Sequence, residues 1–368
     1  MNIICFSDIC WDFIWQRHQQ LLTRFPASWK ILFIEPISLW RILENPKSII
    51  PRKINNIVVF SVPRLSFFEN KELLRKINDF CSLLIIKAII YKSKITRPIL
   101  LFYEPRYSSI IGHLDEKLIL YEFIDNRLGF TEVPIWMRYY IELLIKKADV
   151  VTASSNNLYN YALSSSAKNV FLVRNAADVD HFKKKKYDIP EDIKHLKKPI
   201  IGYVGALYEW FDFELIEKMA IKFFEYTILL IGPIHPEQMK IIAALGKYEN
   251  ICFAGKKSYD ELPEYISQFD IAIIPFKINN LTNYVNPVKL YEYIAADKPV
   301  ISTALPDIFE YKDVVYIADN HEEFLQAIEI SLIRKQKGNY VDILINNTWD
   351  KRAEQMIKII QKYSNEDA

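Results

Sequence analysis

The sequence predicts an α/β protein made of two doubly wound parallel-sheet domains. Three observations carry that expectation. Short apolar runs alternate with helix-period stretches from residue 3 to residue 175. A segment dense in Lys and Pro, 181–198, then breaks the pattern. The same alternation restarts at 199 and runs to 334. The 368 residues suit two domains, and 51% hydrophobic with 25% charged residues excludes a disordered, collagen-like or coiled-coil chain.

In chain order, the first half offers a strand at 3–7 and a helix at 14–25, where Ile14, Trp15, Leu21, Leu22 and Phe25 are the apolar positions. A strand at 29–36 follows, ended by Pro36. Next come a strand at 56–62, a long helix at 70–92, and strands at 98–105, 117–125, 149–154 and 169–175. The segment 181–198 reads as a linker, with Lys183 and the three lysines after it as solvated charge. In the second half, strands at 199–205, 226–232, 250–255, 270–276, 298–303 and 314–318 alternate with helices at 212–224, 236–246, 260–268, 286–296 and 321–334. An amphipathic helix at 347–363 ends the pattern, with Asn347 or Thr348 as its cap. The expected domains are therefore 1–180 and 199–345, with 346–368 packing back on the first. Two such Rossmann-like sheets facing a cleft make a two-substrate site, because ligands of open α/β sheets sit beyond the carboxyl ends of the strands.

The net charge of +2 gives no overall pull toward nucleic acid, but residues 1–100 carry 15 Lys and Arg against 7 Asp and Glu. Aromatic residues stand beside those bases at Trp29-Lys30, Trp40-Arg41 and around Arg64 with Phe67 and Phe68. Such a surface suits anionic lipid headgroups or a phosphate-bearing acceptor; a scattered solvated surface is the plainer alternative. The start of the chain has no basic leader and reads as a strand, and the most apolar stretch, 81–91, is half of a membrane span and holds Lys87. The four cysteines, Cys5, Cys10, Cys81 and Cys252, lack metal or disulfide spacing. A cytoplasmic protein follows, with any membrane contact peripheral.

Only eight glycines occur, and Gly202, Gly205, Gly232 and Gly255 fall within or at the ends of second-half strands, where backbone approaches a ligand closely. GxGxxG and GxxxxGK[ST] are both absent, so a nucleotide belongs to the second domain. The strongest local signal is 283–303. Pro287 starts a helix, and Lys289 and Glu292 share one face of its first turns. A helix start favours phosphate, Lys289 adds a charge, and Glu292 accepts from vicinal hydroxyls; a plain i,i+3 ion pair is the alternative. At the carboxyl edge of the first domain stand Asp125, Glu104 and Glu122, candidates for a general base that raise one another's pKa. Asp12, Trp15, Arg17 and His18 follow the first strand as acceptor contacts, Trp15 by stacking and Arg17 on an anion.

The run IIGYVGAL, LLIGP, NICFAGKKSYDELPEYISQFDIAIIPF and NPVKLYEYIAADKPVIST resembles the nucleotide-sugar domain of GT-B glycosyltransferases of group 1, family 4-like. VRNAADVDHF resembles the junction segment of that family, which also accounts for Asp178-Val179-Asp180 better than a metal-binding DxD does. FSDICWDFIWQRHQQLLTRF resembles the opening of bacterial transferases for teichuronic acid and exopolysaccharide glucuronosyl transfer.

The resemblance implies a UDP-sugar donor, no metal and no cofactor, and a glycan or polyprenyl-linked acceptor. It implies Gly205 against the diphosphate, Gly232 and Pro233 in the donor cleft, and Gly255, Lys256 and Lys257 around the base. Asn286 and Tyr284 would lie near the sugar or phosphates. The chain departs from the pattern where Tyr284 replaces the first of two glutamates, and where 206–210 offers no base after Gly205. Two other readings stay open: a catalytically silent sugar-nucleotide-binding subunit, and an NDP-sugar epimerase or hydrolase.

Overall fold

The computed structural model describes residues 1–64, 69–183, 187–333 and 340–365. Phe67, Phe68 and residues 184–186 lie outside them. The chain separates into two compact units, 1–174 with 352–368, and 175–351.

The first unit holds strands β1 (Asn2–Phe6), β2 (Lys30–Ser38), β3 (Arg52–Ile54), β4 (Ile57–Arg64), β5 (Ile99–Phe102), β6 (Leu118–Phe123), β7 (Val150–Ala153) and β8 (Val170–Leu172). They form one sheet in the order β3-β4-β2-β1-β5-β6-β7-β8, parallel except for the β3–β4 pair. Its helices are α1 (Arg17–Leu22), α2 (Leu39–Glu44), α3 (Glu72–Lys92), α4 (Met137–Lys147) and α5 (Asn156–Ser164). The central strands are apolar on both faces, as a doubly covered parallel sheet requires: Ile3 to Phe6 and Ile99 to Phe102 are all buried.

β2 does not stop at Pro36. Its carbonyl at Ile34 accepts from the Ser7 N–H, on the β1 side, and β1 ends opposite Ile34. By the two-residue period, the nitrogen of Pro36 faces the same side, beyond that end, so its missing N–H costs no ladder bond while pairing with β4 continues to Ser38.

The second unit opens with the short α6 (Val179–Phe182). Strands β9 (Ile200–Val204), β10 (Thr227–Ile231), β11 (Ile251–Gly255), β12 (Ile271–Ile274), β13 (Val300–Thr303) and β14 (Tyr316–Ala318) form an all-parallel sheet ordered β11-β10-β9-β12-β13-β14. Helices α7 (Phe213–Lys222), α8 (Met239–Leu245), α9 (Leu262–Ser267), α10 (Val288–Ala295), α11 (His321–Ile333) and α12 (Val341–Asn346) surround it. The order reverses at β9–β12, the switch point at which such sheets bind ligands.

The stretch expected as a linker belongs to this unit instead. Phe182 and Ile193 are buried in its core, Asp178 caps α6 by accepting from the His181 N–H (3.2 Å), and Asp192 pairs with Lys257 (2.6 Å). A final helix, α13 (Trp349–Asn365), contributes its residues from Arg352 onward to the first unit, where Gln355 donates to the Leu172 carbonyl (3.0 Å) and Arg352 to that of Arg174 (3.0 Å).

Candidate functional site

The first-unit rim is built where parallel strands end together. β1 leads into Asp8, β5 into Glu104, and β6 into Asp125. Their surroundings separate the three expected carboxylates.

Glu122 is fully buried inside β6. Arg17 donates to it through Nε (2.6 Å) and Nη2 (3.2 Å), and Thr152 Oγ1 donates at 2.7 Å. Arg17 is itself buried and spends its remaining donors on the carbonyls of Val173 (2.8 Å) and Arg174 (3.2 Å). This corrects the expectation for both residues. Arg17 ties α1 to the end of β8, and both oxygens of Glu122 are engaged by Arg17 and Thr152.

Glu104 is likewise fully buried. It accepts from the Arg106 N–H (3.0 Å), Arg106 Nη2 (2.9 Å) and Arg127 Nη1 (3.4 Å). Burial raises its pKa, but the two guanidinium charges outweigh that and hold it at about 2. A carboxyl so acidic is a poor base, so Glu104 also leaves the candidate list for an anchoring role.

Asp125 differs. It is partly exposed, and no salt bridge to its carboxylate occurs among the described residues. Burial raises its pKa, and the negative charge of Asp8 raises it further against the weaker pull of Arg127, His18 and Arg17. A carboxylate with an elevated pKa and spare lone pairs at a strand-end rim has the properties of a general base.

Asp8, Arg127 and the position of His18 complete the rim. Asp8 accepts from Arg127 Nη2 (2.7 Å) and meets His18 Nε2 (2.9 Å). Burial lifts the Asp8 carboxyl, yet Arg127 and His18 bring it well below the usual range, so Asp8 is the anion that keeps Asp125 basic. The buried His18 ring lies 3.8 Å from that of Tyr103. Sequence reasoning missed Asp8, although the strand-end rule applied to β1 finds it. Asp12 pairs with Arg52, which also binds Glu35 (2.7 Å). Trp15 stays 37% exposed, edge-on to Trp11 (6.2 Å).

In the second unit, β9, β10 and β11 end side by side in glycine. The Gly205 N–H donates to Ile231 (2.8 Å) and the Gly232 N–H to Gly255 (2.9 Å). A Cβ on Gly232, at φ +149°, would lie 1.9 Å from the Gly205 carbonyl oxygen. These glycines let the strand-end turns stack on one another, with Pro233 accepting from the Leu207 N–H (2.9 Å). Gly255 (φ +69°) precedes the exposed Lys256.

At the start of α10, Pro287 is the N-cap and no side chain caps the first turn; the Leu290 N–H turns back to the Pro287 carbonyl (3.2 Å). Lys289, the second residue of the helix, donates to Glu292 at 2.7 Å; the carboxylate is buried and the ammonium about one-fifth exposed. The pair is therefore a built cation holder rather than a loose surface contact. Tyr284 ends a short 3-10 turn just before it. Asn286, expected near the sugar or phosphates, is buried and engaged within the protein: its Oδ1 accepts from the Asn175 N–H (3.0 Å), and its amide donates to Asp307 (3.0 Å) and Tyr291 (3.1 Å). A separate cavity of about 580 Å³ lies by the starts of α7 and α11, where His321 bridges Asp212 (2.8 Å) and Lys218 (3.0 Å).

Residues 198–333 match the family described as glycosyl transferases group 1. The chain is 26% identical over 233 residues to TuaH of Bacillus subtilis (strain 168), assigned as a teichuronic acid biosynthesis glycosyltransferase; the match covers 60% of this chain and 58% of TuaH. In fold it is similar to sucrose-phosphate synthase from Thermosynechococcus elongatus (TM-score 0.78, 15% identity, 98% of each chain). It is also similar to Anabaena HepE in complex with UDP and glucose (TM-score 0.72, 14% identity, 98% of this chain and 100% of that one). The fold is thus GT-B, and the chain resembles group 1 glycosyltransferases of surface polysaccharides.

Proposed function

From that resemblance and the two rims, we propose that this protein is a glycosyltransferase that moves a sugar from a nucleoside-diphosphate sugar, UDP-linked, to a glycan or lipid-linked glycan of a bacterial surface polysaccharide. The start of α10 carries the reading. Its first turn, uncapped by any side chain, and the ammonium of Lys289, set inside the matched segment, suit a diphosphate. Glu292 then accepts from vicinal hydroxyls of the nucleoside once the ligand competes for Lys289. The stacked glycine turns of β9–β11 present backbone to the remainder of the donor.

The first unit binds the acceptor, with Trp15 against a sugar face. The carboxylate of Asp125 takes the acceptor hydroxyl proton as that oxygen forms its bond to the anomeric carbon. The bond from that carbon to the diphosphate oxygen breaks, and its electron pair leaves with the diphosphate. The charge that develops there meets Lys289 and the helix start, a metal-independent means of stabilisation. A cytoplasmic site at the inner membrane face fits a lipid-linked acceptor.

Titration calorimetry with UDP and UDP-glucose, followed by assay of transfer and donor hydrolysis, tests this. Lys289→Ala is expected to weaken nucleotide binding at least tenfold with the fold intact, and Asp125→Asn to keep nucleotide binding while losing transfer. Nucleotide binding with no turnover in wild type would favour the silent-subunit reading, and no nucleotide binding would end the proposal.

A further inference from the structure

α3 carries an exposed apolar stripe on its outer face. Its inward positions, four apart, are Asn78, Ser82 and Ile86, all buried, while Leu73, Ile77, Phe80, Leu84 and Tyr91 are each between 43 and 87% exposed. At 3.6 residues per turn these five fall within an arc of about 60° and form a stripe about 27 Å long. An amphipathic helix on a globular unit ordinarily turns polar residues to that side.

The orientation is locked. Asp79, on the inward side, accepts from Arg64 Nη2 (3.2 Å) and from Tyr140 Oη (3.2 Å), and Trp136 Nε1 holds Asn70 just before the helix (3.3 Å). Rolling the stripe inward would break the ion pair and bury lysines. Exposed Lys76 and Lys87 border the stripe on one side, against the acid Glu72, which is paired to Lys76 at 2.7 Å, and exposed Lys92 ends the helix beyond the other side. No helix of the described residues is long and apolar enough to cross a membrane.

We propose that the outer face of α3 is a bilayer-docking surface, lying flat in the headgroup region of an anionic membrane with its apolar stripe in the acyl boundary and its lysines on lipid phosphates. The chemistry is that of an interfacial helix: a continuous apolar strip, bases along its border, and stems of Lys that extend the apolar area. The same charge pattern argues against a second copy as occupant. A twofold pairing of two such stripes would set lysine rows against lysine rows with one acid per chain to offset them. α2 adds to the same character, since it buries none of its residues and exposes Trp40 and Leu43 beside Arg41. The inference deepens the lipid-linked acceptor reading and locates the contact, but it rests on this surface and not on the donor site.

The test is co-sedimentation of the full chain, without donor or acceptor, with vesicles of phosphatidylcholine alone and with about one-third phosphatidylglycerol. Binding is expected to be at least tenfold tighter to the anionic vesicles and to weaken with salt. Phe80→Glu with Leu84→Glu should remove it, and Lys76→Glu with Lys87→Glu should reduce it about tenfold. All four positions are exposed, so circular dichroism and nucleotide binding should stay as in wild type. Equal binding by the variants, no preference for anionic vesicles, or a wild-type dimer that the Phe80/Leu84 variant dissociates would each overturn the inference. A failure here with nucleotide binding intact leaves the donor reading standing.

Discussion

Exchanging Glu122 for Gln and, separately, Asp125 for Asn should give opposite results, although the two carboxylates lie three residues apart. Glu122 is fully buried and holds the buried Arg17 through two hydrogen bonds. Breaking a buried pair by removing one charge costs roughly 3–5 kcal/mol. Arg17 keeps the carbonyls of Val173 and Arg174, so the lower figure, about 3 kcal/mol, applies. For a unit of this size that lowers the melting temperature by roughly 6–12 °C. Asp125→Asn instead removes a charge that burial and Asp8 disfavour, so stability at neutral pH should hold or rise slightly while transfer is lost. Adding Arg17→Met to Glu122→Gln should recover part of the loss, because the stranded guanidinium goes with it. Calorimetric melting plus single-turnover transfer reads both. If Glu122→Gln melts within about 1 kcal/mol of wild type and abolishes transfer while Asp125→Asn transfers normally, the roles given to the two carboxylates are reversed and the argument from ion pairing fails.

Two further outcomes follow from the rims. Glu104 is held at about 2 against an ordinary 4.5, so its ionised form contributes stability that is present above pH 4.5 and lost as pH falls through about 2. The difference in unfolding free energy between wild type and Glu104→Gln, on the order of 3 kcal/mol, should therefore shrink across that window, and a gap independent of pH would contradict the pairing. Gly232→Ala would set a Cβ 1.9 Å from a backbone oxygen, and should abolish nucleotide-induced thermal stabilisation by parting the β9 and β10 turns. Gly255→Ala has open space around its Cβ and should cost only about 1–2 kcal/mol for its left-handed backbone, with nucleotide binding retained.

Much of the fold was legible because buried parallel strands are written as unbroken apolar runs. β9, β10, β12 and β13 each lie inside the expected stretches, and the GT-B class stands as expected. The exceptions have local causes. Pro36 misleads because whether a strand loses a bond there depends on where its neighbour ends. The stretch 181–198 looks like a linker by composition, but Phe182 and Ile193 insert into a core that composition does not reveal. The rim was harder. Strand ends can be read from the sequence, so Glu104, Glu122 and Asp125 were found. The arginine that silences Glu122 lies 105 residues away, and nothing local announces it. Likewise Asn286 sits in the strongest motif, yet it is occupied by Asn175 from 111 residues upstream.

Among the described residues, the last strand of the larger sheet, β8, has no strand beyond it, and such a margin is ordinarily open to pairing with a stranger. Here the carbonyls of Leu172 and Arg174 are already taken by side chains of Gln355 and Arg352. The closing helix thus serves as a guard rail: it fills the sites at which a neighbouring chain would begin to zip on, and so keeps a wide, strongly apolar sheet from growing past its own boundary.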